Sequence, residues 1–196
     1  MTYIAEPDLM VRVVASPLHD DEISVLRVRA QPYIPAAAVH ISIDGHSYSL
    51  LAHRVPAVVG FNLIEPLRDP RTELPLGPLL VVRGPDASIL RVLSDEDWRL
   101  GRQLFLVGDE WCFVREFVAY GGDRIRAVGI LRGQFETEVQ EHEIGTPCFA
   151  MPHWLLPSMK DLAVSAKKTL KVKIQPYTDE PISLADIKPV LYRGRT

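Results

Sequence analysis

Short stretches of alternating polar and apolar residues recur along the chain. The segments 11–14, 24–29 and 171–174 each place every second side chain on an apolar face. A period of two is typical of strands with one buried and one solvent-facing side. Sixteen prolines and twelve glycines interrupt the chain so often that few windows leave room for a long helix. The pattern therefore predicts an all-β protein of sandwich or barrel-like modules, with at most short helices.

Turn residues between apolar runs predict one hairpin and one meander. The Asp-Gly dipeptide at 44–45 separates two β-branched runs, and this dipeptide is typical of a two-residue type I′ turn. Gly-Asp at 108–109 and Gly-Gly at 121–122 separate three further runs. We expect a hairpin around residue 44 and a three-stranded meander over 103–131.

Two segments carry weaker helical signals. Ser94 followed by three acidic residues resembles a capped first turn, because acids suit the positive end of the helix dipole. Gly101 follows within two turns, so we expect a single turn there. The segment 155–168 is the other candidate, and Pro157 interrupts it.

The proline-dense stretch 55–85 is the candidate boundary between modules. It keeps apolar residues such as Phe61 and Leu67, which is typical of an ordered connection. We therefore expect an N-terminal β module at 1–66, a Pro-rich crossover at 67–90, and a C-terminal β module with a terminal linker at 91–196.

Composition argues against several partner classes. The chain has 22 basic and 25 acidic residues, a net charge of −3, and no concentration of Lys or Arg that would suit nucleic acid. Its start lacks a signal-peptide pattern, and no apolar run approaches the roughly 20 residues that span a bilayer. We expect a soluble protein made in the cytoplasm, without a membrane partner. Cys112 and Cys148 lie among apolar residues, as buried free thiols do.

Catalytic and metal-binding motifs are absent from the sequence. We find no glycine-rich phosphate loop, nucleophile elbow, zinc-protease motif or paired-cysteine motif. The acidic run after His19 fits a solvated turn, and His40 and His46, which could face each other across their hairpin, lack a third ligand. Glu136 and Glu138 fit an exposed loop that pairs with Arg126 and Arg132. We expect no catalytic residues, no cofactor, no metal and no enzymatic activity.

Tryptophans leave a second interpretation open. Trp98 and Trp154 lie beside turn-like stretches, where an exposed indole could stack on a sugar ring. A receptor-binding or carbohydrate-binding module of a tail or cell-surface protein is therefore the alternative function. Either tryptophan half-exposed beside an acid in a shallow groove would favour it.

The order of segments from Ser94 to Phe149 carries a resemblance. A serine precedes an acidic turn, a glycine leads into a strand, Gly108-Asp109-Glu110-Trp111 forms a hairpin, and Ile130-Leu131-Arg132-Gly133-Gln134-Phe135-Glu136-Thr137-Glu138 is followed by His142 and Gly145. This order resembles a domain of phage tail-tip and host-specificity proteins and of the hub protein of gene-transfer agents. Segments 41–51 and 56–67 extend the likeness to about residues 33–155, and 190–195 resembles the linker that follows in longer relatives.

The resemblance implies an architectural function. The chain would be a structural component of a phage or phage-like tail tip or baseplate hub, made in the bacterial cytoplasm and located in the virion tail. It would dock fibres or neighbouring tip and hub proteins in a cyclic, threefold assembly. The chain is shorter than a whole hub protein, so we expect a split-gene relative or a fragment.

The resemblance also implies structural roles for particular residues. These are Gly108, Glu110, Leu131, Arg132, Gly133, Thr137, Glu138, His142 and Gly145. Arg132 stands where a strand leaves the sheet, and we expect its guanidinium to bind loop carbonyls and a carboxylate such as Glu138 or Glu136. Glu136 replaces a glycine of the family pattern, so its turn must change conformation or accept strain.

Overall fold

The chain folds into two compact β units, and one of them interrupts the other in sequence. A computed structural model describes residues 11–18, 22–28, 37–83, 87–156, 158–159, 169–176 and 182–193. One unit spans residues 58–156, and the other combines 1–57 with 157–196. The all-β prediction is confirmed, and only one short α-helix and two 3₁₀ turns interrupt the strands of the described residues.

Thirteen strands and one helix make up the described secondary structure. In chain order they are β1 (Val11–Ala15), β2 (Ile23–Arg27), β3 (Ala37–Ser42), β4 (Ser49–Val55), β5 (Val59–Leu63), β6 (Glu73–Arg83), α1 (Asp95–Arg99), β7 (Gln103–Val107), β8 (Glu110–Ala119), β9 (Arg124–Gln134), β10 (Pro147–Pro152), β11 (Ser158–Met159), β12 (Leu170–Pro176) and β13 (Val190–Tyr192). The 3₁₀ turns lie at His153–Leu155 and Leu184–Asp186.

The discontinuous unit contains two antiparallel sheets. One has the order β1-β2-β11 and the other β13-β12-β3-β4. Its core is a single cluster of mostly β-branched side chains, including Val13, Ile23, Val25, Val39, Ile41, Val172 and Ile174. Burying each such side chain contributes about 1.5–3 kcal/mol. The pairing of β3 with β12 joins parts of the chain that are more than a hundred residues apart.

The hairpin predicted around residue 44 is present, but its turn is wider than predicted. The last pair of β3 and β4 is Ile41 with Ser49. The carboxylate of Asp44 accepts hydrogen bonds from the Ser42 hydroxyl and from two backbone amides of the loop, each at 2.8 Å. The side chain of Asp44 thus organises the loop. His40 is paired with Leu50 and contacts Gln175, so it does not face His46 across the ladder.

The continuous unit is a closed six-stranded antiparallel barrel. Its strand order is β10-β5-β6-β9-β8-β7, and the last three strands are the predicted meander. The buried core of this unit includes Val59, Phe61, Leu63, Leu74, Leu80, Phe105, Val107, Val114 and Ile130. Phe61 stacks on Phe117, and Phe105 meets both rings edge-on, an arrangement that aromatic quadrupoles favour. A closed barrel leaves no unpaired edge strand.

The Pro-rich stretch predicted as a crossover at 67–90 is not a connection throughout, because its residues 73–83 form a barrel strand. β6 occupies residues 73–83 and pairs with β5 over residues 80–83 and with β9 over 73–81. Pro75 and Pro78 lie in the half of β6 that has only one neighbour, and a register shift falls between Leu76 and Leu79. Proline lacks an N–H, so a one-sided strand or a bulge is where a sheet tolerates it.

The expected module boundaries differ from the units of the structure. The barrel begins at residue 58 and ends at 156, instead of starting near 91. Residues 157–196 belong with the N-terminal residues, because β11 pairs with β2 and β12 pairs with β3. Such long-range pairing leaves no local signal in composition.

Helix α1 begins and ends where its capping residues predict. The Ser94 hydroxyl accepts a hydrogen bond from the Asp97 amide at 3.1 Å, and the chain reaches Gly101 in a left-handed conformation. Trp98 is buried on this helix, and its indole nitrogen has no hydrogen-bond partner. A buried indole cannot serve as a sugar platform, so Trp98 does not meet that expectation.

Some sequence expectations fall outside the described residues. These include most of the acidic run after His19, and residues 157 and 160–168 of the second helix candidate; Ser158 and Met159, within that candidate, form β11. Both cysteines are free and buried, as expected. They lie on β8 and β10, with β7 between them. No helix among the described residues is long and apolar enough to cross a membrane.

Candidate functional site

The most unusual feature of the barrel is a carboxylate buried in its wall. Glu110 begins β8 and its side chain has no exposure to solvent. The alternation of β8 places it on the same face as Cys112 and Val114, both of which belong to the barrel core. Removing a carboxylate from water costs several kcal/mol unless donors replace the lost hydration.

Donors surround both oxygens of Glu110. Oε1 accepts from Nε of Arg132 at 3.0 Å and from the Gly133 amide at 3.1 Å. Oε2 accepts from a terminal nitrogen of Arg132 at 2.6 Å and from the Gln140 amide at 3.2 Å. It also lies 2.8 Å from Nε2 of His142. The two bonds from Arg132 form a bidentate pair, which is the strongest geometry for these groups.

Arg132 connects this pair to two surface loops. It lies near the end of β9, and its side chain is 1% exposed. The terminal nitrogens of its guanidinium donate to the backbone carbonyls of Asp69 and Gln140. Its own amide donates to the carbonyl of Thr72 at 2.7 Å. One side chain thus fixes the segments around residues 69–72 and 140 to the barrel.

His142 closes the arrangement from the second loop. It forms an isolated antiparallel bridge with Leu67, with backbone hydrogen bonds of 2.8 and 3.0 Å in the two directions. Gly108 lies beneath the imidazole, where a Cβ atom would stand 3.2 Å from Nδ1. Gly108 also has a φ of +55°, so both backbone conformation and space favour glycine here.

The surroundings keep Glu110 ionised. Burial raises its pKa, but hydrogen bonds from His142 and Arg132 outweigh this effect and lower the pKa from 4.5 to about 2. The nearby thiol of Cys112 is affected in the opposite direction, because burial and the charge of Glu110 raise its pKa. Glu110, Arg132 and His142 together are called the buried triad below.

The structure brings several other motif residues close to the buried triad. The Thr137 hydroxyl accepts from the Trp111 amide at 3.0 Å and donates to the Gln134 carbonyl at 2.8 Å. It therefore holds the turn after β9 against the start of β8. Gly133 supplies one of the donors to Glu110.

Three motif residues lie outside the contacts of the buried triad. Leu131 is half-buried and pairs with Phe113 and Glu73 in the sheet. Glu138 is exposed. Gly145 belongs to a separate turn, where its amide donates to the Leu63 carbonyl at 2.8 Å.

The expected partners of two arginines are corrected by these contacts. Arg132 does bind loop carbonyls and a carboxylate, but the carboxylate is Glu110, and both Glu136 and Glu138 are exposed. Arg126 pairs with Glu65 at 3.0 Å. The sequence did carry a signal for the pairing of Arg132 with Glu110. Each of the two charged residues lies two positions from an apolar core residue of its own strand, and therefore on the core face.

The turn after β9 is strained at Phe135 and at Glu136, the position where the resemblance would place glycine. Phe135 and Glu136 have φ angles of +53° and +62°, and they are the only two non-glycine residues with positive φ in the described chain. Left-handed backbone costs such residues roughly 1–2 kcal/mol each. The Phe135 ring packs edge-on against Trp111 and Phe113, with centroids 6.2 and 5.4 Å away, which holds the turn in place.

The chemistry of the buried triad is that of a clamp. A general acid needs a raised pKa, whereas Glu110 has a lowered one and no exposure to a substrate. Its acceptor positions are filled by protein donors that belong to the adjoining loops and strands. Among the described residues, no group of three or more His, Cys, Asp and Glu side chains is placed to hold a metal ion.

No protein-family model matches the chain, and a search of curated proteins finds no significant match.

Replacing Arg132 tests the clamp. Arg132→Ala leaves Glu110 as an uncompensated buried charge, and we expect it to lower the free energy of unfolding by about 3–5 kcal/mol. Arg132→Lys should recover only a small part, because an ammonium cannot span two carboxylate oxygens and two carbonyls. Urea denaturation measures both. Arg68→Ala is the matched control, since Arg68 forms an exposed ion pair with Glu143. Equal effects of Arg132→Ala and Arg68→Ala would contradict the clamp.

Acid should weaken the barrel through Glu110. Its pKa is lower in the folded state than its ordinary value of 4.5, so its ionisation stabilises the fold above pH 4.5. This stabilisation should be lost as the pH falls from 4.5 towards 2. Carboxyl ¹³C NMR should show Glu110 ionised in the folded protein at pH 4, and the difference in stability between wild type and Glu110→Gln should shrink in acid. Titration of the folded Glu110 near 4.5 would disprove this prediction.

Glycine at position 136 should stabilise the protein. Glu136→Gly relieves a left-handed residue at the cost of unfolded-state entropy, and we expect a net gain of about 0.5–1 kcal/mol in unfolding free energy. Glu138→Gly is the control, because Glu138 is also exposed but lacks a positive φ. That variant should be less stable than wild type. Thermal and urea unfolding measure the stability of both variants. A loss of stability in Glu136→Gly would contradict the claim that the positive φ of residue 136 destabilises the fold.

Proposed function

We propose that the chain is a non-catalytic structural module of a phage or phage-like tail tip or baseplate hub. In this role it docks fibres or neighbouring tip and hub proteins as part of a cyclic, threefold assembly. It is made in the bacterial cytoplasm and ends in the virion tail. Neither nucleic acid nor a membrane is a partner in this proposal.

The buried triad is the observation that carries the proposal. Glu110, Arg132 and His142 are all among the residues on which the resemblance to tail-tip proteins rests. Their side chains are almost fully buried and bind one another and the loop backbone. Residues used in this way shape a surface without reacting at it, which is the chemistry that an architectural module needs.

Fixed loops also suit docking. The segments 67–72 and 133–142 are held to the barrel through the carbonyls of Asp69, Thr72 and Gln140 and the bridge at His142. A loop that is ordered before binding loses less conformational entropy when a partner arrives. In an assembly with several copies of the chain, this smaller entropy loss would apply at every copy.

Imaging of particles tests the proposal. The gene, tagged at its 3′ end, is expressed in the bacterium that carries it, and particles released after induction are purified on a density gradient. Electron microscopy with an antibody fragment against the tag should place it at the tail tip, in three copies around the axis. Particles from the untagged strain are the control. Absence of the chain from purified particles, or its recovery as an unattached monomer, would overturn the proposal.

A further inference from the structure

One tryptophan differs from the other two in its exposure. Trp154 is 69% exposed, whereas Trp98 and Trp111 are 5% and 3% exposed. An indole is the largest apolar side chain, and leaving it in water forfeits stabilisation that burial would give. The barrel therefore presents a large aromatic side chain to solvent at the 3₁₀ turn His153–Leu155.

Sheet pairing brings the segment that carries Trp154 to the residues that follow helix α1. β10 pairs with β7 up to Pro152 and Gln103, and the His153 amide continues the ladder by donating to the Arg102 carbonyl at 3.0 Å. The next residues of the two segments are Trp154 and Gly101. Leu100, which follows α1, is also 61% exposed.

His153, which precedes Trp154 in the chain, belongs to a short row of polar side chains. Nε2 of His153 lies 3.2 Å from a terminal nitrogen of Arg102, and Nε of Arg102 lies 4.0 Å from Oδ1 of Asp97. The side chains of Arg102 and Asp97 are 49% and 54% exposed. The Ser94 hydroxyl occupies only Oδ2 of Asp97, at 3.1 Å. The row thus offers solvent a cationic donor and an anionic acceptor side by side.

This combination fits a pyranose sugar. The C–H face of a pyranose ring stacks on an indole, and two adjacent hydroxyls bind a carboxylate and a guanidinium, one hydroxyl donating and the other accepting. Leu100 is the only large apolar side chain besides Trp154 that is exposed among the residues named above, whereas protein anchor sites are surrounded by a larger apolar core. We propose that Trp154, Arg102, Asp97 and His153 form a carbohydrate-binding subsite for a pyranose with adjacent free hydroxyls.

The subsite goes beyond the proposed docking role. All of its residues belong to the barrel unit, and none belongs to the buried triad. Loss of sugar binding and absence from a tail tip are therefore separate outcomes.

Saturation-transfer NMR with defined sugars tests the subsite. The full-length protein is mixed with the methyl glycosides of glucose, galactose, mannose and N-acetylglucosamine, each at about 10 mM, because a single open platform binds in about the millimolar range. We expect transfer to the ring protons of at least one glycoside, together with a change in tryptophan fluorescence. Trp154→Ala should abolish both signals, and Arg102→Gln should weaken binding about tenfold.

Tyr120→Ala provides the control. Tyr120 is 61% exposed after β8, so its loss removes a comparable exposed ring without touching the subsite. Each variant replaces an exposed side chain, and circular dichroism melts check that its fold is kept. Three results would overturn the proposal: no transfer to any of the four glycosides, equal loss of binding in Tyr120→Ala, or self-association that Trp154→Ala disrupts while no sugar binds. The last result would assign Trp154 to a protein contact.

Discussion

The need to compensate one buried negative charge shapes an entire end of the barrel. Glu110 is fully buried, and its carboxylate is stable there only because Arg132, His142 and two backbone amides supply donors. Those donors come from β9 and from the chain that follows it. Arg132 in turn requires the carbonyls of Asp69 and Gln140 for its remaining N–H groups. The positions of two loops are therefore consequences of one buried acid.

The same constraint accounts for the glycine and threonine at neighbouring positions. Gly108 leaves room for His142, and Gly133, in a left-handed conformation, donates its amide to Glu110. Thr137 then anchors the turn in which Glu136 adopts a positive φ. The strain at Glu136 is sustained because contacts on both sides of the turn fix its ends.

Local features of the fold could be predicted from the sequence, and nonlocal ones could not. The helix at Asp95–Arg99 follows from Ser94 and Gly101, and the meander follows from glycine turns between apolar runs. The loop at Asp44 is wider than predicted, since its side chain binds backbone amides that a two-residue turn would not present. The unit boundaries depend on the pairing of β3 with β12, which no nearby residue signals.

The candidate site shows the same division. A charged residue two positions from a core residue of its strand shares the core face and indicates a buried ion pair, and both Glu110 and Arg132 meet that description. Which charges pair depends on the register of β8 against β9, including its shift between Trp111 and Phe113. Without that register, the sequence predicts that Arg132 pairs with the nearby acids Glu136 and Glu138.

The two ends of strand β7 have different chemistry. Gly108 follows the strand and lies against His142 of the buried triad, whereas Arg102 precedes it and contacts His153, the residue before the exposed Trp154. Five residues of extended chain separate these ends by about 17 Å. At the first end, the charged groups of Glu110 and Arg132 form hydrogen bonds within the protein. They hold the loops in place and leave few free donors or acceptors for a ligand. At the other end, a guanidinium, a carboxylate and an indole remain open to solvent. Because β7 is a buried strand paired on both sides, the exposed groups at one end rest on a rigid support. A rigid support lowers the entropy lost on binding, so it favours the proposed carbohydrate subsite at the Arg102 end of β7.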